Sequence, residues 1–515
     1  MRTKCTLITA AVSVAGAVAM MLMLPGQANA QPKPGWVTIV LEEEPEGLDG
    51  CDMPRSTMGR VIRQNVVETL TEINPDNGEI SPRLAMSWER VNESTWRFKL
   101  RPNVKWHDGM PLNAANVAKS MARTMEHPEL NCETLTKSFA TLRFKGVAVD
   151  DLTLDVIATP PDPIVPTRLG VVGLVSPNTT TAKKVLDPVG TGPYKFDKWN
   201  AGQDITVVKN KEWWGKASNI EGARYVFRSE STVRAAMVKV GEADFAATIG
   251  PQDAIDPRMD VSYPNAETTK LRIELGRKPF DDIRVRMAMN LAFDRHSVVG
   301  TIMSKDVQHA TQVVGPSVSG HNFEIAKNIR PYDPAKAKQL IAEAKAAGAN
   351  VNEKTWIIGR KNHYPGVVEL LETAMQGFNN AGLNTELRML EIAEWLELMN
   401  KPYSTSRPPV INSSKHDNNN GDAVFSMYFK MHSGGLQSFL TDNRVDGLID
   451  KATVTPLGAE RVKLWQEANR IIYEDMVAHV WLYHMVGYSR VGSRINFKPS
   501  ISTNSEIQVS QMSLK

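Results

Sequence analysis

His107 and Asp108 are the residues best suited to acid–base chemistry, because they stand side by side like a catalytic pair. Adjacent residues on a strand point to opposite faces, so their side chains are not expected to meet. The ten histidines are scattered and show no pair at helical metal-ligand spacing. Residues 190–192 (GTG) lack the third glycine of a dinucleotide loop, and residues 315–320 (GPSVSG) match a nucleophile elbow only superficially. The sequence predicts a protein that is not an enzyme, with no metal and no cofactor.

The N-terminal segment has the features of an export signal. Arg2 and Lys4 precede an apolar run over residues 5–24, and a Pro-Gly pair at 25–26 interrupts it. Residues 28–30 (ANA) then give the small-residue pattern of a cleavage site, so residues 1–30 are expected to be a signal peptide. The alternative is an uncleaved N-terminal membrane anchor, which a run of this length could form.

Length and charge narrow the class of protein. A chain of 515 residues is too long for one hydrophobic core, so two or three lobes are expected. Removing residues 1–30 lowers the formal charge from +3 to +1, which gives no electrostatic reason to expect nucleic-acid binding. Cys51 and Cys132 then remain. In an exported protein they are expected to pair as a disulfide, and two separate buried thiols are the alternative.

Several elements can be predicted from periodicity and turn residues. Residues 96–100 alternate apolar and basic side chains, which predicts a strand, and Asn113 is a candidate N-cap for a helix that continues to Met125. Residues 225–249 read as a strand, a helix and a second strand, a unit typical of parallel sheets. Residues 402–422 are polar and rich in Pro and Asn, which predicts a long loop, and residues 423–427 are predicted to form a buried strand.

Four ordered segments carry a resemblance to a known family. They are residues 96–125, residues 188–194 (PVGTGPY) with a Trp-Trp pair following at 213–214, residues 231–245 and residues 279–295. Together they resemble the family 5 bacterial solute-binding proteins, the peptide-, nickel- and opine-binding receptors of ABC importers.

The resemblance implies an α/β, two-lobed periplasmic-binding-protein fold of the cluster C type, with an extra α+β subdomain inserted in the first lobe. The expected boundaries follow the order of the chain: signal peptide 1–30, lobe I 31–70, inserted subdomain 71–187, lobe I again 188–275, lobe II 276–475 and lobe I again 476–515. Residues 96–125 belong to the insert, so we expect them to be scaffold.

The function that the resemblance implies is capture of a small molecule in the cleft between the lobes. Closure of the lobes would present the ligand to an inner-membrane ABC permease, without chemistry on the ligand. The expected receptor is a periplasmic monomer. A secreted hydrolase on an α/β scaffold and a periplasmic chaperone or sensor on the same fold are the alternative functions.

The resemblance also suggests where the ligand would be contacted. In the family the contacts come from the loop after the first strand and from the second lobe. Arg55 is favoured because its guanidinium can grip a carboxylate or phosphate, although a solvated surface arginine is the alternative. Trp395 is either a cleft aromatic or a packed core residue. The expected contacts in these regions are Glu43, Arg55, Ser56, Arg360, Lys361, Asn362, His363 and Trp395.

One segment departs from the peptide-binding members, which carry Gly-Trp-x-x-Asp with the aspartate on the peptide ammonium. Residues 425–432 are read as the corresponding strand, where Tyr428 replaces the tryptophan and Lys430 and His432 appear instead of a carboxylate. A cation there would repel a free amino terminus. The sequence therefore favours a polar, anionic ligand of peptide, opine-like or glycosidic type. An ordinary oligopeptide- or dipeptide-binding protein with peptide-chaperone activity is the alternative.

Overall fold

A computed structural model describes residues 33–74, 77–135, 142–361, 363–404, 406–418 and 421–515. The predicted signal peptide lies outside these ranges. The strands are β1 Trp36–Leu41, β2 Thr71–Ile73, β3 Ile80–Pro82, β4 Ala85–Arg90, β5 Thr95–Leu100, β6 Arg143–Asp150, β7 Thr153–Thr159, β8 Tyr194–Asn200, β9 Asp204–Lys209, β10 Gly222–Phe227, β11 Phe245–Ala246, β12 Asp260–Ile273, β13 Gln308–His309, β14 Lys354–Arg360, β15 Asn384–Leu390, β16 Val410–Asp417, β17 His479–Val491, β18 Ile495–Asn496 and β19 Ser513–Leu514. The helices are α1 Ser56–Ile62, α2 Ala114–Met125, α3 Val165–Leu169, α4 Ser231–Lys239, α5 Ile283–Ala292, α6 Pro334–Ala346, α7 Val367–Ala381, α8 Ile392–Met399, α9 Val424–Met431, α10 Asn443–Val454 and α11 Ala459–Arg470.

One large mixed sheet organises the molecule, in the order β15-β14-β16-β12-β17-β11-β1-β10-β9-β8, with β13 beside β17. We call β11, β1, β10, β9 and β8 the first half of the sheet, and β16, β14 and β15 the second half. Parallel pairing of β1 with β10 and β11, and of β14 with β15 and β16, gives each half a parallel core. The predicted strand–helix–strand unit is confirmed as β10, α4 and β11.

Two long antiparallel strands, β12 and β17, cross between the halves. The beginning of β12 pairs with the end of β17, from Asp260 opposite Arg490 to Pro264 opposite Val486. The register then shifts before Thr268, and the remainder of β12 pairs with β16 on its other side. A break in the ladder increases local twist and bends a strand. The two halves are therefore joined by a pair of strands that change register at the junction.

A separate antiparallel sheet, β4-β5-β7-β6, lies within the region predicted to be an insert. Phe98 of β5 and Leu154 of β7 are fully buried against Val117 and Met121 of α2, so this sheet and helix share their own apolar cluster. The Asn113 side chain accepts a hydrogen bond from the Asn116 N–H at 2.9 Å, which confirms the predicted helix cap.

The predicted disulfide between Cys51 and Cys132 is formed. It joins the turn after β1 to the segment after α2, which are 81 residues apart in the sequence. Both cysteines are buried in the apolar cluster of the smaller sheet. The bond therefore ties that sheet to the first half of the large one.

The sequence prediction for residues 402–432 is wrong in two respects. Residues 410–417 form strand β16, in the interior of the large sheet between β14 and β12, rather than a loop. Asn412, Ser413 and Ser414 are fully buried although they are polar, so an apolar pattern could not mark this strand. Residues 424–431, predicted as a strand, form α9, with Met427 and Met431 buried on one side at helical spacing.

Candidate functional site

The predicted contacts near β1 lie in the first half of the molecule. Glu43 and Ser56 are exposed. Arg55 is ion-paired with Glu46 at 2.7 Å and with Glu133 at 3.1 Å. Partial burial by itself would lower the pKa of Arg55. The nearby charges of Glu133 and Glu46 have the larger effect, so the pKa of Arg55 is raised. The guanidinium of Arg55 is therefore already neutralised by protein carboxylates and is a poor anchor for an anionic ligand.

Arg360 is the last residue of β14 and is half-buried. Within the described ranges no carboxylate lies within ion-pairing distance of its guanidinium and no acceptor is hydrogen-bonded to it. Lys361, the next residue, is exposed and its ammonium donates to the Glu391 carboxylate at 2.8 Å; this hydrogen bond and the charge of Glu391 raise the pKa of the lysine. Asn362 lies outside the described residues. Among the described residues of this predicted group, only Arg360 is partly buried and has a charge without an ion-pair partner.

His363 and Trp395 pack against each other, with ring centroids 5.3 Å apart and planes nearly perpendicular. Both are buried, and Trp395 also packs against Ile358, Met399 and neighbouring apolar residues. Burial, reinforced by nearby Lys415, Arg360 and Lys430, lowers the pKa of His363 to about 3. His363 is therefore neutral, and the pair forms an aromatic wall beside Arg360.

The three predicted residues of α9 do not act together. Tyr428 is exposed and stacks on His432 with centroids 4.6 Å apart, whereas Lys430 points to the other side of the helix and is buried. The ammonium of Lys430 donates to Gln437 Oε1. Nε2 of His432 lies 3.3 Å from Asp450, so this histidine faces a carboxylate. Only Lys430 shares the buried surroundings of His363 and Arg360.

A group of buried polar and aromatic residues that the sequence did not bring to attention lies on β12, β16 and β17. Lys270 is paired across the ladder with Ser414 on one side and Trp481 on the other, so these side chains share one face of the sheet. Arg272 is likewise flanked by Asn412 and by His479. All six residues are buried. The sequence signal was weak because Lys270 and Arg272 alternate with apolar residues, as on a strand with a solvated face.

The electrostatics of this buried face are dominated by positive charge. Burial, and then the charge of Arg272, lowers the pKa of Lys270 to about 7. Burial lowers the pKa of Arg272 to about 10. The pKa of Lys430 is held well below its usual value by burial and by Lys270 and Arg272. Asp417 is close enough to oppose this effect on Lys430, but it lies exposed at the end of β16.

The pair at residues 107–108 does not form a catalytic dyad. His107 Nε2 lies 3.0 Å from the carbonyl oxygen of Gly192, and burial lowers the pKa of His107 to about 4. Asp108 instead accepts hydrogen bonds from Ser176 at 2.5 Å and Asn178 at 3.2 Å. Elsewhere in the described part of the chain, no group of three His, Cys, Asp or Glu side chains could hold a metal ion.

The fold and this site define a class. Two sheet halves joined by a pair of crossing strands, with a buried polar face beside the junction, form a two-lobed binding protein. The chain superposes on the structure of HbpA2 from Haemophilus parasuis with a TM-score of 0.79 and 21% identity, over 93% of this chain and 100% of that one. The chain thus has the α/β fold of the two-lobed periplasmic binding proteins.

Residues 79–435 match the model of the bacterial extracellular solute-binding proteins, family 5 (middle region), and the chain belongs to this family. It is 24% identical to heme-binding protein A of Haemophilus influenzae over 485 residues, which is 88% of this chain and 87% of that protein. It is 28% identical to the glutathione-binding protein GsiB of Pectobacterium atrosepticum over 314 residues, 58% of this chain and 59% of that relative.

Members of this family are transport binding proteins, which bind small ligands such as peptides and deliver them to an ABC permease. They are periplasmic or extracellular. Over the ranges that the structure describes, no helix is both long and apolar enough to cross a membrane.

Proposed function

We propose that this protein is the periplasmic receptor of an ABC importer and that it captures a small, polar, anionic solute between its lobes. The receptor works as a monomer, performs no chemistry on the solute and delivers it to an inner-membrane permease. Residues 1–30 are the signal peptide that exports it. Residues 31–70, 188–275 and 476–515 make up lobe I, residues 276–475 lobe II and residues 71–187 the inserted subdomain, whose separate sheet favours that division.

The observation that carries the anionic ligand is the unpaired guanidinium of Arg360. It lies at the carboxyl end of β14, next to β16 in a parallel pair, and open α/β sheets bind ligands at this edge. The aromatic wall of His363 and Trp395 stands beside it, and Lys430 of α9 is close enough to affect the pKa of His363. A carboxylate or phosphate would supply the acceptor that Arg360 lacks in the described part of the protein.

Contacts from lobe I are proposed from the loop after β1. Glu43 and Ser56 are exposed and free to approach a ligand, whereas Arg55 would first have to exchange Glu46 or Glu133 for it. We therefore assign Arg55 a positioning role in that loop. The proposed contribution of lobe I is polar and neutral or acidic, and the positive charge of the site comes from lobe II.

A peptide-binding receptor with chaperone activity is the second candidate, and Asp417 favours it. This exposed carboxylate ends β16 at the same sheet edge as Arg360, because the two strands run parallel. A carboxylate and a guanidinium at one edge could grip the two charged ends of a short peptide. Residues 424–431 form a helix rather than the predicted strand, so the lack of a carboxylate there is no argument against a peptide ligand.

A solute panel separates the two candidates. Thermal shift and calorimetry would compare opines, acidic glycosides and acidic and unmodified peptides. Acidic solutes are expected to raise the melting temperature, and Arg360→Ala is expected to weaken their binding by about 1.5–3 kcal/mol if a charged hydrogen bond is lost. Arg444→Ala, which removes an exposed arginine paired with Asp442, is the matched control and should bind like the wild type. Stabilisation by unmodified cationic peptides alone would refute the anionic ligand.

A further inference from the structure

A row of hydrogen-bond donors crosses two strands of the second half of the sheet, β14 and β16, and the two crossing strands, β12 and β17. Ser414 of β16, Lys270 of β12 and Trp481 of β17 are directly paired in the ladder. Arg360 of β14 continues the row, because it lies two residues beyond Ile358, which is paired with Asn412 on the same face. We call Arg360, Ser414, Lys270 and Trp481 the donor row.

The interior members of the donor row have polar atoms without partners. The Lys270 ammonium, the Ser414 hydroxyl and the Trp481 indole nitrogen are all buried, and none has a hydrogen-bond partner in the described structure. The Lys270 ammonium lies 5.6 Å from the centre of the Trp481 ring, which places these two side chains together. Buried polar groups are nearly always hydrogen-bonded, so three orphaned groups in one row need an explanation.

The surroundings do not provide an anion. Arg272 donates to the main-chain oxygens of Gln437 and Met399, and Lys430 donates to the Gln437 amide. His416 and His479 on the neighbouring strands are buried, and burial lowers the pKa of each, so they are neutral. Asp417, at the end of β16, is exposed, and the buried Glu274 after β12 is paired with Arg407 at 2.8 Å. Neutral acceptors thus serve the other cations, and Lys270 is left with none.

We propose that the donor row is an oxyanion-binding position, at which the Lys270 ammonium and the Ser414 hydroxyl hold a carboxylate or phosphate group of the transported solute. This inference rests on the proposed receptor function and adds the residues that select the ligand. Arg360 forms the accessible end of the row, and Lys270 the interior end. The Trp481 indole N–H is a further donor to the same group. Opening of the two lobes gives the solute access to the row.

The test uses the full mature protein with two probes, inorganic phosphate and succinate, each at the same ionic strength as a chloride reference. The two probes separate a phosphate from a carboxylate ligand. Binding would be measured by calorimetry and by thermal shift for the wild type, Lys270→Met and Ser414→Ala. Lys338→Met, which removes an exposed lysine of α6, is the matched control.

Lys270→Met is expected to weaken the preferred probe at least about tenfold and Ser414→Ala about threefold, because each removes a donor to an anion. Lys338→Met should bind like the wild type. Equal binding by the wild type and both row variants would overturn the oxyanion position. If Lys270→Met does not fold, as judged by circular dichroism, Ser414→Ala decides the question alone.

The outcome is separable from failure of the receptor function. If Lys270→Met and Ser414→Ala bind normally while Arg360→Ala loses a solute from the panel, the receptor stands and the interior end of the donor row is not part of its site. If the wild type binds neither the two probes nor any solute of the panel, the receptor function itself is refuted.

Discussion

Replacement of Lys270 by Met should stabilise the ligand-free protein. Lys270 is completely buried, and its ammonium has no hydrogen-bond partner or carboxylate in the described structure. Met has a similar length and no charge, so Lys270→Met keeps most of the packing and removes the desolvated ammonium. A buried charge without a partner is a known source of large destabilisation, and its removal should therefore be favourable.

The size of the effect follows from the pKa of Lys270. Burial lowers this pKa from 10.5 to about 7. Each unit corresponds to about 1.4 kcal/mol, so the folded protein at neutral pH carries a penalty of roughly 4 kcal/mol from this one residue. We expect the unfolding free energy of Lys270→Met at pH 7 to exceed that of the wild type by a substantial part of this amount.

The sign of the pH dependence is fixed by the same shift. A base whose pKa is lower in the folded state binds fewer protons there than in the unfolded state between pH 7 and 10.5. The penalty is therefore complete below about pH 7 and falls by about 1.4 kcal/mol per pH unit as the pH rises towards the unfolded pKa. Neighbouring groups also titrate, but their contribution cancels when the unfolding free energy of the wild type is subtracted from that of Lys270→Met. The groups that face Lys270 from β12, α9, β16 and β17 are Arg272, Lys430, His416 and His479, and Asp417 acts on Lys430.

The assay is denaturant unfolding of both proteins at several pH values, with the difference between them plotted against pH. The difference should shrink from roughly 5 kcal/mol near pH 6 to roughly 1.5 kcal/mol near pH 9.5. Lys338→Met is the control and should give a difference near zero at every pH. A Lys270→Met protein that is less stable than the wild type at pH 7, or a difference that does not vary with pH, would refute a buried, unpaired Lys270.

Three further changes test other parts of the structure. Loss of the Cys51–Cys132 disulfide, by reduction or by serine at both positions, should lower the unfolding free energy by about 4.5 kcal/mol on the loop-entropy model for 81 residues, as measured by urea unfolding. Gly421→Ala should lower the unfolding free energy by about 1–3 kcal/mol, because Gly421 has φ +75° and an added Cβ would lie 2.7 Å from the Gly78 oxygen; an unchanged urea-unfolding curve would contradict this. Asn113→Ala should lower the unfolding free energy by about 1 kcal/mol, because α2 loses its N-cap hydrogen bond. Asn113→Asp should restore this stability.

Much of the fold could be predicted because its helices and strands are amphipathic and are bounded by capping and turn residues. Phe98 and Leu100 of β5 are buried on one face while Lys99 between them is exposed, as the alternation predicts. Helix α6 begins after Asp333, which caps it, and Gly348 follows its end with φ +91°. Where the apolar pattern and the turn residues agree, local sequence is sufficient to place an element.

Less of the candidate site could be predicted. Arg360 follows a strand and precedes a helix, so its place at the carboxyl end of β14 was accessible to sequence reasoning. Arg55 was an equally good candidate on residue type, yet its neutralisation by Glu46 and Glu133 depends on carboxylates 9 and 78 residues away. Residue type identifies groups able to bind an anion, but only the tertiary arrangement tells which of them is already satisfied.

Strand β16 shows why the same residues both misled the sequence prediction and mark the site. Residues 412–416 are polar, so the sequence predicts a loop. Burying polar side chains in a sheet interior is normally unfavourable, because they lose their hydrogen bonds to water. In the structure Ser414 is fully buried, and its hydroxyl has no hydrogen-bond partner among the described residues, as is true of the adjacent Lys270 ammonium. A sheet interior that keeps such donors is locally unfavourable unless another molecule completes it. The position at which the apolar pattern fails is therefore the position at which a solute has the most to contribute.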